Sequence, residues 1–522
     1  MREEVTECNG FEAIFRATLD SGVSTITGVP GYPITPLMEL FLRHKEGSHN
    51  QAPYSANWLT NEKVALEIAL GASVSGKRGL VIVKHVGMNL LSDPLITSVT
   101  HTIGAGLVIL AGDDPGAKGS QNEQDSRWYG KIAETAVFDP TCPEAAYKAL
   151  RRAYELSEEA KIPIIMRVTA DLEKSRGKIK LLPPSSEKPP KFDRSIWEVR
   201  IREKHQRFHK EVYPLLEEEA ESTELNLLKA ETCKNSKTQI GIISSGFASV
   251  LVENVLNRTQ EKKLLKSCTV SHLILNLANP LPFQKIQAFL KKTQKIIVVE
   301  ESEPFIEEQI RIYGKVYGKK TGHIPYGRVK TEDIEFALEH IGEETTEKPA
   351  ETDLSRTLKN KRTSICDDCP YLPLYHLLRK LDVRVAGDMG CSIRSAPKPL
   401  AAVDASFALG SAISVACGFE KKGIAVIGDF ALAHSGILGL LTAVYAGYEV
   451  LVLVLQNEVA AMTGGQEVPD LKELVQTIAS DVSVIDINEK EIPSQGLSDL
   501  ITQKLACSGV SVIFVRGKCR RY

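Results

Sequence analysis

Short uninterrupted runs of Val, Ile and Leu recur along the chain between stretches of helical periodicity. They include Gly79–Val83, Gly106–Leu110, Ile162–Met166, Gln239–Ile243, Lys295–Val299, Val383–Val385, Ile424–Ile427, Val450–Leu455 and Val510–Phe514. A strand that alternates apolar and polar residues has one wet face; a strand that is apolar throughout is covered on both. Runs of this kind, each followed by a helix, specify parallel sheets sandwiched between helices, so the fold class is α/β. A chain of 522 residues has room for about three or four domains at roughly 150 residues each. Two composition shifts mark the divisions. Residues 183–237 are first Pro-rich and then strongly charged, which reads as a solvated helical linker, and residues 342–364 are charged and Thr-rich without apolar periodicity. Three blocks remain, 1–182, 238–341 and 365–522.

The bulk composition excludes several classes. A net charge of −2 gives no electrostatic reason to expect nucleic acid or an anionic membrane as partner. The start, Met1-Arg-Glu-Glu-Val5, is too charged for a signal peptide, and the most apolar stretch, Leu438 to Leu455, is interrupted by Glu449 and Gly447. Ten cysteines in a long chain without a secretion signal read as thiols or ligands rather than a disulfide framework. The expectation is a cytoplasmic multidomain enzyme.

In the third block, Gly428-Asp429 ends the run Ile424–Ile427, a helical pattern from Ser435 to Tyr445 follows, and the next run ends at Gln456-Asn457. Strand, helix and strand over that span bring Asp429 and Asn457 to the carboxyl edge of adjacent parallel strands, where α/β proteins bind ligands. A carboxylate, an amide oxygen and a nearby main-chain carbonyl suit a hard divalent cation holding a diphosphate. Ser435 and Gly436, read as the helix start, would offer free amides to the phosphates. A bare Gly-Asp pair merely ends many strands; Asn457 and Thr463-Gly-Gly465 at the matching strand end carry the metal reading further.

Two other constellations stand out. Glu62 follows Asn61 at the start of a pattern that soon becomes apolar and rich in small residues. A buried carboxyl there is either part of the helix cap or an acid held by the positive helix end. Cys366-Asp-Asp-Cys369, Cys391 and Cys519 bracket the Asp429 region. A CxxC pair with two distant cysteines can complete an S₄ site for iron–sulfur or zinc, or the four are uninvolved thiols. Cys8, Cys142, Cys233, Cys268, Cys417 and Cys507 show no ligand spacing.

Several segments occur in a diagnostic order: Gly31-Tyr-Pro-Ile-Thr-Pro36, Asn61-Glu-Lys-Val-Ala65, Lys84-His-Val-Gly-Met-Asn89 with Ser92-Asp-Pro94, and Asp113-Asp-Pro-Gly116 with Ser120-Gln-Asn-Glu-Gln-Asp125. Val298-Val-Glu-Glu301, Gly387-Asp-Met-Gly-Cys391 and Ala461-Met-Thr-Gly464 continue it. Taken together the chain resembles the 2-oxoacid:ferredoxin oxidoreductases, nearest the large subunit of the indolepyruvate type. That resemblance implies a multidomain thiamine-diphosphate fold, with a pyrimidine-binding domain over 1–182 and a transketolase C-terminal-like domain over 238–341. The diphosphate-binding domain would span 365–522. It implies thiamine diphosphate as cofactor, bound with Mg²⁺ by Asp429, Asn457 and the main-chain oxygen of Val459. Gly428, Ser435, Gly436, Thr463 and Asp388 would be further cofactor contacts.

By the same resemblance Glu62 is the cofactor-activating acid and Thr35 contacts the 2-oxo acid carboxylate; from the residues alone, Thr35 is equally a turn residue between two prolines. Lys84 and His85 either face the site or form a solvated pair at a strand end, and His434 either reaches the cofactor or bonds backbone at a helix start. Cys366, Cys369, Cys391 and Cys519 match a quartet that binds a [4Fe–4S] cluster. The implied reaction is oxidative decarboxylation of a 2-oxo acid, such as indolepyruvate, to an acyl-CoA, with a smaller partner (beta) subunit and ferredoxin or a similar acceptor. Two departures are visible. Phe430 stands where the family often has Gly, and the sequence ends at Tyr522 without the two CxxCxxC runs usual in this subgroup. The expectation is therefore a separate ferredoxin-like acceptor; a non-oxidative decarboxylase or carboligase, or a non-catalytic scaffold subunit, stay open.

Overall fold

A computed structural model describes residues 5–49, 51–185, 188–231, 238–262, 268–344, 364–487 and 494–522. Most of the expected 342–364 linker, part of the 183–237 linker, and Cys233 therefore lie outside the described residues. The chain forms two compact units, residues 1–350 and 351–522, and the architecture is α/β with parallel sheets in both.

The first unit holds two larger sheets. In the first, six strands run parallel in the order Val137–Phe138, Ile164–Thr169, Leu107–Asp113, Gly79–Lys84, Thr25–Gly28, Ser55–Trp58. The central strands are buried along their length, except at Lys84, which ends its strand half-buried, as the continuous apolar runs require. A seventh strand, Leu277–Asn279, joins Val137–Phe138 antiparallel, so the middle of the sequence contributes an edge to the first sheet. The second sheet orders Val316–Tyr317, Lys295–Val299, Thr238–Ser245, Cys268–Leu275 and Leu227–Glu231. Its last strand is antiparallel and falls inside the segment expected to be linker. The rest of that segment is helical, but it is not merely solvated: Phe208, Val212, Leu216 and Ala220 are buried. Their spacing of four residues puts all four on one helix face that packs inward.

The two sheets of this unit are joined by a buried ionic network. Arg127 is fully buried and forks onto both Asp125 oxygens (2.9 and 2.5 Å) on its own side. It reaches Glu300 (2.8 Å) and the Ser245 hydroxyl (3.0 Å) on the other. Arg167 pairs with Asp113 (2.6 Å) and Asp139 (3.1 Å), and Asp139 accepts the Ser245 hydroxyl. Two of the family-like segments, ending at Asp125 and at Glu301, are thus partners in space.

The second unit is built on a five-stranded sheet, all parallel, in the order Val385–Ala386, Gly423–Gly428, Val450–Gln456, Val510–Arg516, Asp481–Asp486, with a small antiparallel pair, Val459–Ala460 and Gln466–Glu467, beside it. Its two faces are covered by separate apolar clusters, one around Tyr375, Leu378 and Ile501, the other around Ile413, Leu440 and Val475. No helix among the described residues is long and apolar enough to cross a membrane.

Candidate active site

In the second unit three neighbouring strands end together: Asp429 and Asn457 directly follow theirs, and Asp388 follows its strand after Gly387. Asp429 is buried, and its carboxylate organises the edge. Oδ2 accepts the amides of Asn457 (2.9 Å) and Glu458 (2.6 Å), and Oδ1 accepts the amide of Phe430 (2.8 Å). Burial pushes the Asp429 carboxyl up to about 6, with those amides pulling the other way; a bound cation would favour the ionised form. Glu458 reaches its amide position with a left-handed backbone, φ 64°. The Asn457 amide oxygen accepts the Val459 amide at 3.3 Å. These residues line a cleft of about 450 Å³ together with Leu432, Asp470, Lys518, Cys519 and others. A carboxylate, a side-chain amide oxygen and main-chain carbonyls around such a space are the donors a hard cation takes, so Asp429, Asn457 and Val459 fit Mg²⁺. A Cβ at Gly428 would meet nothing within 4 Å, which leaves open room beside the strand end.

One expectation is corrected here. The helix after this strand starts at Asp429, not at Ser435, and runs through a π turn, Leu432–Gly436, before continuing as Ile437–Tyr445. Ser435 and Gly436 lie in its second turn, so the case for them as helix-start amides fails. The Ser435 hydroxyl instead donates to the Leu409 carbonyl (2.9 Å) and stands 3.0 Å from His434 Nδ1. A Cβ on Gly436 would sit 2.4 Å from Ile427 Cδ1, so this glycine permits close helix-to-strand packing. Asp388, also buried, accepts the amides of Gly410 (2.8 Å) and Ala412 (3.2 Å) and so fixes the loop against which Ser435 packs. Burial holds its carboxyl up at about 6 against those amides. Thr463 closes its own turn, donating to the Ala460 carbonyl at 3.2 Å and to Gln466 at 2.9 Å.

The four cysteines converge on the same edge. Burial, with Cys391, Cys366 and Cys519 adding to it, pushes the Cys369 thiol up to about 11. Cys519 also lines the Asp429 cleft, and all four are free thiols. One zinc ion with Zn–S near 2.3 Å would gather its sulfurs to about 3.8 Å apart. Among the described residues no three of these sulfurs lie within 4.8 Å of one another, wider than one zinc ion would hold them.

In the first unit, Glu62 opens the helix Glu62–Val74 and is buried, while Asn61 caps the helix by accepting the Lys63 amide at 2.9 Å. Its carboxyl lies against Gly87, where a Cβ would be 2.6 Å from Glu62 Cγ and 2.9 Å from Oε1. Gly87 was visible only as one letter of a motif; its role is to leave space for this carboxyl. Burial lowers the Lys84 ammonium, opposed by the Glu62 and Asp114 carboxylates, and Lys84 Nζ donates to Gln121 at 2.8 Å. His85 is buried, with Nε2 3.1 Å from the Asn122 carbonyl and Nδ1 3.3 Å from that of Gly112. Neither residue is a solvated pair. Thr35 closes a turn: its hydroxyl donates to the Gly31 carbonyl and accepts the Gly31 amide, both at 3.0 Å. The segments around Gly31, Lys84 and Gln121 thus meet in one place.

Residues 388–489 match the thiamine pyrophosphate enzyme, C-terminal TPP binding domain family. The indolepyruvate oxidoreductase subunit IorA of Archaeoglobus fulgidus is 30% identical over 495 residues, covering 88% of this chain and 76% of that one. The chain belongs to the 2-oxoacid:ferredoxin oxidoreductase family. Another member of the family, the IorA subunit of Methanothermobacter marburgensis, is likewise 30% identical, over 88% of this chain and 76% of its own. The fold match extends to the 2-oxoglutarate:ferredoxin oxidoreductase of Magnetococcus marinus, with TM-score 0.50 and 15% identity over 64% of each chain.

Proposed function

We propose that the chain is the thiamine-diphosphate-binding subunit of a cytoplasmic enzyme that oxidatively decarboxylates a 2-oxo acid, an aryl pyruvate such as indolepyruvate, to an acyl-CoA. Electrons would leave through a [4Fe–4S] cluster to ferredoxin or a similar acceptor, with a smaller beta subunit as partner. The observation that carries this reading is Asp429, held at a strand end by the amides of Asn457 and Glu458, in a cleft that Cys519 also lines. The name of the curated relatives supports the substrate class.

Thiamine diphosphate, when bound, supplies a carbon nucleophile and an electron sink. The residues do the rest. Asp429, Asn457 and the Val459 carbonyl would hold Mg²⁺ on the diphosphate, with Gly428 leaving space beside it. Asp388 and Ser435 keep the flanking loop in place, a positioning part rather than a contact. Glu62 would hold a proton against the aminopyrimidine, and Thr35 would orient the substrate carboxylate. Cys366, Cys369, Cys391 and Cys519 would hold the cluster. In domain terms, 1–182 would serve the pyrimidine and 365–522 the diphosphate, with 238–341 supporting assembly and 183–237 and 342–364 as connections.

Anaerobic purification with iron and sulfide analysis tests the redox half. About four irons and four sulfides per chain are expected, falling together in Cys366→Ser. A colourless protein that releases aldehyde with no electron acceptor would instead favour a non-oxidative decarboxylase. For the cofactor half, Asp429→Ala should weaken magnesium-dependent retention of thiamine diphosphate about 100-fold, since even changes around the ligands of a metal cost 10–100-fold. Calorimetric titration with and without Mg²⁺ reads this, and equal affinities in the two proteins would reject Asp429 as a ligand.

A further inference from the structure

Outside the centres described so far, one group of side chains has metal-binding geometry. Among the described residues, Glu134, His205 and His209 are the one set of three potential ligands whose donor atoms all lie within 4.8 Å of one another. We propose that they form a surface site for a divalent transition-metal ion, zinc first, which clips the helical arm to the seven-stranded sheet.

His205 and His209 are four positions apart on the helical run that begins at Ile201 and passes through the π turn Phe208–Val212. Residues at that spacing share a face. Their Nε2 atoms stand 3.3 Å apart with the rings nearly perpendicular, at 81°. Two imidazoles on one tetrahedral zinc, each bound at about 2.0–2.1 Å, have their nitrogens about 3.4 Å apart. The third donor, Glu134 Oε2, lies 3.6 Å from His209 Nε2. Glu134 is carried by a left-handed backbone, φ 56°, between the helix Arg127–Ile132 and the strand Val137–Phe138. Two imidazoles and a carboxylate suit zinc or copper and not magnesium, and an exposed three-ligand site leaves the fourth position to water. The alternative is a bare histidine pair in which one ring donates to the other; that pair needs no carboxylate beside it.

The ion would tie together segments far apart in sequence, 134 on the sheet side and 201–213 on the arm. The test uses the full chain with Zn²⁺ alone. Diethylpyrocarbonate labelling, read by peptide mass spectrometry, should show His205 and His209 protected when micromolar Zn²⁺ is added. The double variant His205→Ala/His209→Ala alters two exposed side chains and should retain one zinc fewer per chain after desalting; the cysteines and the Asp429 site are common to both proteins and cancel in the difference. Glu134→Gln should weaken the same site about tenfold, the low end of what a ligand-shell change costs. Amide exchange over 201–213 should slow on adding Zn²⁺ in the natural protein but not in the double variant. Equal zinc content in the two proteins, with both histidines labelled as readily as before, would overturn the proposal. Protection without slower exchange would overturn the clip.

Discussion

Glu62→Gln is expected to cut turnover by about 10²–10⁴, the usual worth of a positioned acid–base group, while leaving thiamine diphosphate affinity within a fewfold. Glutamine keeps the volume that Gly87 accommodates and the first-turn position of the helix; what it loses is the carboxyl proton. The rate of deuterium exchange at C2 of the bound cofactor, followed by NMR after acid quench, isolates this step from substrate and acceptor. Unchanged exchange would remove Glu62 from the chemistry. The competing reading, that this stretch only caps a helix, has its own signature. Asn61 already supplies the cap through its bond to the Lys63 amide, so Asn61→Ala should cost about 1 kcal/mol of stability with exchange left intact. An acid and a cap one residue apart are thereby separated.

The contrast between these neighbours shows what a sequence can disclose. Buried parallel strands were legible because a strand covered on both faces must be apolar along its buried run, as Val450–Leu455 is. Asp429 and Asn457 were legible because strand–helix–strand places their chain positions on one edge whatever the helix details. The helix start was misplaced because Asp429 belongs at once to the strand end and to the first turn, and the π turn at Leu432–Gly436 shifts the helical period. Leu227–Glu231 was hidden in charged surroundings, for an antiparallel edge strand has only one neighbour to satisfy and tolerates lysine and glutamate. Gly87 and the amide of Glu458 could not be assigned without structure, since neither carries a chemical signature of its own. The convergence of Cys391 and Cys519 on the CxxC turn followed from spacing only as a possibility. Least legible was the ionic network, because Asp125, Arg127, Glu300 and Glu301 are residue types that composition assigns to the surface.

That network leads to the largest stability effect. Arg127→Met should destabilise the first unit by about 3–5 kcal/mol, the cost of stranding buried charges when one partner goes. Burial works against ionised Asp125, yet the charge and hydrogen bonds of Arg127 hold it below the usual carboxylate range. Burial raises Glu300, and the Arg127 charge opposes that rise, helped by the Glu307 and Ile306 amides. With methionine at 127 neither carboxylate keeps its cation, and the Glu301 and Glu303 carbonyls lose their donor as well. Arg127→Lys should recover little, since one ammonium cannot replace a fork that bonds Asp125 twice while reaching Glu300. Trp128 packs edge-on against Phe305, centroids 5.0 Å apart, and the Arg127 guanidinium lies 5.1 Å over that same ring, so its fluorescence reports on this junction during urea unfolding. The decisive comparison is the triple variant Arg127→Met/Asp125→Asn/Glu300→Gln, in which no charge is left stranded. It should regain a substantial part of the lost stability, because the penalty lies in the uncompensated carboxylates and not in the missing guanidinium. An Arg127→Met midpoint equal to that of the natural protein would mean that the two sheets are held together by apolar packing alone.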